Sequence, residues 1–372
     1  MVSQLLAMLL ALVPGGTAAQ PTRTAMREAA RPAAAAPPAT APAAPALTLP
    51  QLVGQHTVFA YDGLQPPAAL RRRIARGEAA GVILFARNVR SAGQVRDVMR
   101  SLQAIPRPAG LRAPLLVMAD QEGGPVRRIP GQPRRAAADV GSAQAARADG
   151  LAAARTLRSA GVNMNLAPVA DVARPGAALE DERRIYGRSA EGVASLAGAY
   201  ADGLHEGGVR ATAKHYPGFG AATVNTDDAP ARIGASLATL RSVDARPFAE
   251  LIAGGVDAVM VSTAVYPVLD ARPAAFSSRW ATTELRTRMG FRGVTMTDDL
   301  GTPAVRAFGS NTRRAVLAVR AGIDLPLFSS SYRDSARAAE GLLAAARGGE
   351  LSRSALRAQA HRVLALRAKL PR

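Results

Sequence analysis

Lys214-His215-Tyr216-Pro217-Gly218-Phe219-Gly220 sets an ammonium beside an imidazole, and Asn225-Thr226-Asp227 follows a few residues later. Two further segments carry acids: Asp120-Gln121-Glu122-Gly123-Gly124, and Asp298-Asp299 after Val294-Thr295-Met296-Thr297. Lysine is otherwise almost absent from this arginine-rich chain, Lys214 and Lys369 being the only two. Carboxylates can attack a carbon centre, carry protons or accept charge-assisted hydrogen bonds. Each also has a plainer reading: Asp298 or Asp299 as a helix N-cap, Asp120 with Arg184 as an ion pair, His215 as a core histidine. The chain has no cysteine, which excludes a thiol nucleophile, thiolate metal ligands and disulfides. It shows neither zinc-ligand spacing nor a glycine-rich phosphate loop after the first strand, so neither a metal nor an organic cofactor is expected.

The elements that must position these residues alternate regularly. Short apolar runs at Val58–Tyr61, Val82–Phe85, Leu115–Ala119, Val162–Ala167, Ala211–Lys214, Ala258–Ser262, Val294–Thr297 and Ile323–Phe328 read as parallel strands buried on both faces. Helical stretches are expected between them at Ala68–Ala75, Ala92–Leu102, Ser142–Ser159, Ala190–Glu206, Leu237–Ala253 and Thr302–Ala321, and after them at Ser331–Ala346 and Arg353–Lys369. Eight such units over residues 48–372 predict an α/β fold, a single (β/α)8 TIM-type barrel. An open doubly wound sheet has the same local period. The placement of the acids favours the barrel: Asp120 follows the third strand, Lys214 and His215 end the fifth, and Asp298 follows the seventh. In a barrel these positions converge at the C-terminal rim.

The three segments resemble the motifs of bacterial β-N-acetylglucosaminidases in glycoside hydrolase family 3. There they read Lys-His-Phe-Pro-Gly-His-Gly with a following Asp-Ser-His, Asp-Gln-Glu-Gly-Gly, and Ser-Asp-Asp. Smaller echoes are Gly81–Asn88, Asn165–Val172 and Arg184-Ile185-Tyr186-Gly187, and all occur in family order. The resemblance implies Asp298 as the nucleophile of a retaining glycosidase and Asp120, Arg184, Lys214 and His215 as the groups that grip the sugar. Arg184 rather than Arg183 is taken for that role from its distance to Tyr186-Gly187. Arg87, Asn88, Arg127 and Arg128 flank the motifs without an assigned role. The implied substrate is a β-linked N-acetylglucosamine-type glycoside of cell-wall origin.

The second half of the long motif departs from the family. Its acid/base is a histidine polarised by an aspartate two residues earlier; here those positions hold Asp227 and Asn225. Phe219 replaces a further histidine, and Thr263 stands where the family often has another. Two readings stay open. Asp227, or its neighbour Asp228, serves as replacement acid/base, its pKa raised by apolar surroundings and nearby carboxylates. Alternatively, the site binds sugar with little or no chemistry, as an envelope sugar-binding protein.

The formal charge of +19 comes from scattered arginines, without a helix-turn-helix, zinc finger or aromatic RNA-binding pattern. It predicts no nucleic-acid partner, but attraction to anionic cell-wall polymers. Residues 1–19 hold a short apolar run, Leu5 to Val13, then small residues at Thr17-Ala18-Ala19, resembling a secretory signal too short to span a bilayer. Residues 20–47, rich in Ala and Pro, read as a disordered linker. The protein is expected to be exported and monomeric.

Overall fold

The computed structural model describes residues 46–371. The expected signal and nearly all of the expected linker lie outside the described residues. Nine strands are described: β1 Val58–Phe59, β2 Gly81–Leu84, β3 Leu116–Ala119, β4 Gln121–Gly123, β5 Val126–Arg127, β6 Met164–Asn165, β7 Arg210–Tyr216, β8 Ala258–Val261 and β9 Val294–Thr297. Seven of them form one curled parallel sheet in the order β1-β2-β3-β6-β7-β8-β9. The eighth expected strand attaches by a single parallel bridge, Leu325 to Met296. The main chain supports it there: Thr297 N–H donates to the Leu325 carbonyl and Leu325 N–H to that of Thr295.

Side chains join this eighth segment to the start of the barrel. The two ring nitrogens of buried His56 lie 2.9 Å from the Asp324 carbonyl and 3.2 Å from that of Leu356. The Ser335 hydroxyl accepts from Ala60 N–H and donates to the Phe328 carbonyl. The sheet with its helices is therefore the (β/α)8 type that the apolar runs predict.

Strand alternation builds two cores. Val58 and Ala60, Ile83, Leu116 and Met118, Met164 and Leu166, Ala258 and Met260, Val294 and Met296, and Leu325 and Leu327 pack together as the barrel interior. Their odd neighbours, including Phe59, Val82, Val117, Ala211, Ala213, Val259 and Val261, face the helices. Asp120, Lys214 and Asp298 continue the inward-facing parity one step above that interior, which is why three segments far apart in sequence can meet.

Two long helices break where periodicity predicts continuity. Leu237–Ala253 becomes a short turn, a π-type turn over Leu240–Asp244, and a helix Arg246–Ala253 with Pro247 in its first turn, where the ring cannot continue a preceding helix. The Thr302–Ala321 stretch opens as a 3-10 segment, Pro303–Phe308, and restarts at Asn311 under a Ser310 cap. Gly309 between them has φ +104°, a conformation that L side chains resist. The hairpin β4–β5 and a π-type helix at Arg279–Arg288 were not expected from the sequence pattern. Among the described residues no helix is long and apolar enough to cross a membrane.

Candidate active site

The inward-facing layer Ile83, Leu166, Met260 and Leu327 forms the apolar floor of a cavity of about 260 Å³. Its walls include Asp120, Arg184, Lys214, His215, Asp227 and Asp298, so all six residues singled out from sequence line one space. Phe219, Asn225, Thr226, Glu182, Arg128, Asp299 and Ser329 complete much of the rim. Thr263 does not line the cavity, nor does Asp228, whose side chain is exposed. Of the flanking residues only Arg128 lines it. Asn88 is buried and holds the Tyr61 and Gly63 carbonyls, Arg87 pairs with Asp62 and lies over the Phe85 ring, and Arg127 turns to the Gly124 and Gly131 carbonyls.

Lys214 rises from β7 into a nest of acids. Its ammonium is 2.7 Å from Asp120 and 2.7 Å from Glu122, and its side chain is 3% exposed. Burial alone would lower its pKa; the two carboxylates outweigh that and hold it above the ordinary lysine value. Glu122 also meets Arg184 in a two-point fork at 2.9 and 2.8 Å. Burial opposes its charge, but Arg184 and Lys214 prevail and hold it far below the usual carboxylate range. The hairpin β4–β5 brings Glu122 here, anchored by reciprocal bonds between Gln121 and Asn165. Arg128 lies 3.6 Å from the second oxygen of Asp120. Arg183 points outward to Asp139.

His215 is fixed from behind. The Asp171 carboxylate accepts from its Nδ1 at 2.8 Å, from its backbone N–H at 3.2 Å and from Phe219 N–H at 2.6 Å. A carboxylate only accepts, so Nδ1 carries a proton toward Asp171. The motif glycines permit the close packing behind this turn: a Cβ at Gly220 would meet the Val172 carbonyl at 2.0 Å, and one at Gly218 would meet Asp244 at 2.6 Å. Phe219 is buried edge-on against His215, ring centroids 5.9 Å apart.

Three further carboxyls, Asp227, Asp298 and Asp299, line the same cavity. Asp298 accepts from Thr226 Oγ1 at 3.3 Å and from Asp299 N–H at 2.8 Å. Asp299 turns instead to Gly301 N–H and to Ser329, whose N–H donates at 3.1 Å. Burial raises the Asp299 pKa. Asp227 sits at the mouth. Partial withdrawal from water, then the charges of Asp298 and Asp299, push its carboxyl up to about 6, against the pull of His215 and Arg184. The residue is still exposed to solvent on its outer side. Carboxyls that interact across one cavity release their protons as a set rather than singly.

Glu122, Asp171, Glu182 and Thr226 were not given roles from the sequence. Glu122 and Asp171 lie inside quoted motifs. The available signal was the lone lysine, since a buried ammonium requires carboxylates.

The fold and the site define a (β/α)8 protein with a small, carboxylate-rich rim cavity. Residues 48–366 match the family described as Glycosyl hydrolase family 3 N terminal domain. A relative from Arthroderma benhamiae, named an uncharacterized secreted glycosyl hydrolase, is 39% identical over 85% of this chain and 92% of its own length. A β-hexosaminidase from Nitrosomonas eutropha is 35% identical over 66% of this chain and 72% of its own. The solved β-N-acetylhexosaminidase from Beutenbergia cavernae aligns with TM-score 0.80 at 33% identity, over 87% of this chain and 99% of that one. The family 3 β-N-acetylglucosaminidase from Paenibacillus sp. aligns with TM-score 0.81 at 34% identity, over 87% of this chain; the chain spans 63% of that protein's length. The chain belongs to glycoside hydrolase family 3.

Proposed function

We propose that the protein is an exported retaining β-glycosidase that removes N-acetylglucosamine-type residues from cell-wall-derived glycosides. Asp120, Arg184, Lys214 and His215 grip the sugar ring, and the cavity of about 260 Å³ suits one small ring. Asp298 attacks C1 as the C1–O bond breaks, and the proton of Asp227 passes to the departing oxygen. Water then attacks C1 of the Asp298 ester, Asp227 takes its proton, and the ester bond breaks. Asp228 takes no part, since it does not line the cavity. The reading is carried by one observation: Asp227 lines the same cavity as Asp298. Partial burial and the neighbouring carboxylates push its carboxyl up to about 6, toward the range that suits a general acid.

The alternative is a sugar-binding protein without turnover, since Asn225 and Asp227 stand where the family has its aspartate and histidine. A panel of aryl β-glycosides separates the two. An enzyme with Asp227 as acid gives a shallow dependence of rate on leaving-group pKa, which Asp227→Ala makes steep. Monosaccharide binding without turnover of any dinitrophenyl glycoside rejects the hydrolase.

A further inference from the structure

Asn225 stands where the family has an aspartate, and its amide makes two opposite hydrogen bonds. Nδ2 donates to Glu182 Oε1 at 2.8 Å, and Oδ1 accepts from Asp227 N–H at 3.0 Å. The partners dictate the amide's orientation, since a carboxylate only accepts and an N–H only donates. The Asn225 carbonyl accepts from the N–H groups of Asp228 and Ala229 at 3.0 and 3.1 Å, so the loop is wound around this one residue. Beneath it, Glu182 Oε2 accepts from Arg184 at 2.9 Å. Arg184 grips Glu122, Glu122 meets Lys214, and Lys214 meets Asp120. An unbroken chain of polar contacts thus runs from the loop that carries Asp227 to the residues proposed to hold the sugar.

We propose that Asn225 and Glu182 form a clasp that fastens the Asp227 loop to the Arg184–Glu122–Lys214 network, making both of them positioning residues. That they position an acid, rather than a loop alone, rests on the function proposed above. The clasp gives a physical reason for asparagine at 225. An ionised aspartate there would set two carboxylates face to face at the 2.8 Å contact and offer no donor.

The test is a charge exchange in the full chain at pH 7.5. Asn225→Asp, Glu182→Gln and their combination are compared by amide hydrogen exchange of the 225–229 segment and by kcat on alkyl and dinitrophenyl glycosides. Asn225→Asp should speed exchange of this segment about 10-fold or more, and should lower the ratio of alkyl to dinitrophenyl turnover ~10-fold. The double variant restores a donor–acceptor pair with its direction reversed, the new amide at position 182 donating to the new carboxylate at position 225, and should recover most of both. Unchanged exchange in Asn225→Asp, or a double variant no better than the single, overturns the clasp. If Asp227→Ala leaves the leaving-group dependence unchanged while the exchange results hold, the clasp stands and the acid assignment falls.

Discussion

Replacing Lys214 with Met tests the network where its energetics are most exposed. The substitution keeps an unbranched side chain of nearly the same length and removes the ammonium with its charge and its donors. It leaves Asp120 and Glu122, both buried, without the ammonium that lies 2.7 Å from each. Breaking a buried ion pair by removing one partner costs ~3–5 kcal/mol. Glu122 keeps its fork to Arg184 and Asp120 keeps Arg128 at 3.6 Å, which places the loss at the lower end, about 3 kcal/mol. For a barrel of this size that is a fall in melting temperature of about 4 °C at pH 7.

The pH dependence has a definite sign. Glu122 has its folded pKa depressed, so its stabilisation is present above the unfolded carboxylate value and is lost as pH falls through the folded value. Without Lys214 the depression of Glu122 shrinks, so the deficit should be full at pH 7 and narrower at about pH 3, below the unfolded carboxylate value. Calorimetric melts at both pH values, with Lys214→Met/Glu122→Gln as a partial rescue, measure it. A variant that melts within 1 °C of the parent at pH 7, or whose deficit does not change with pH, refutes the reasoning.

Further outcomes follow from the same geometry. Asp171→Asn leaves one accepting oxygen and sets an amide N–H₂ against the donors on its other side; it should lower stability by ~1–3 kcal/mol and weaken monosaccharide binding in calorimetry, since His215 is held less firmly. Turnover limited by the first chemical step should fall as pH rises through about 6, where Asp227 gives up its proton, and Asp227→Ala should erase that limb and slow alkyl glycosides ~100- to 10,000-fold. Thr226→Val removes the hydroxyl donor to Asp298 and should lower kcat with little change in ground-state sugar binding, read by steady-state kinetics beside thermal shift. Intact-mass analysis of exported protein should give a start near Gln20; full-length chain retained in the cytoplasm would reject export.

The barrel is legible because its strands are buried on both faces and therefore read as continuous apolar runs with fixed intervals. The inward parity of Asp120, Lys214 and Asp298 follows from the same alternation. What escaped the sequence depends on local chemistry that period does not record. The π-type turn at Leu240–Asp244 and the break at Gly309 sit inside regular helical patterns, where only Pro247 and the Gly309-Ser310 pair hint at them. Glu182, within the acidic run Glu180-Asp181-Glu182, looks like a solvated surface residue, yet meets Asn225 from 43 positions away. Asp171 likewise reaches His215 across 44 positions. Such pairings belong to the folded rim, where loops from different strands meet, and no single segment contains them.

The central claim is that Asp298 attacks the anomeric carbon while Asp227 serves as acid and base. Trapping with a 2-fluoro dinitrophenyl glycoside, followed by peptide mass spectrometry, tests it most directly. The leaving group needs no proton and the fluorine slows release of the ester, so a covalent sugar should accumulate on Asp298 in both the parent and Asp227→Ala. A label on Asp227, Asp120 or Asp299, or burst-free turnover with no label, would contradict it.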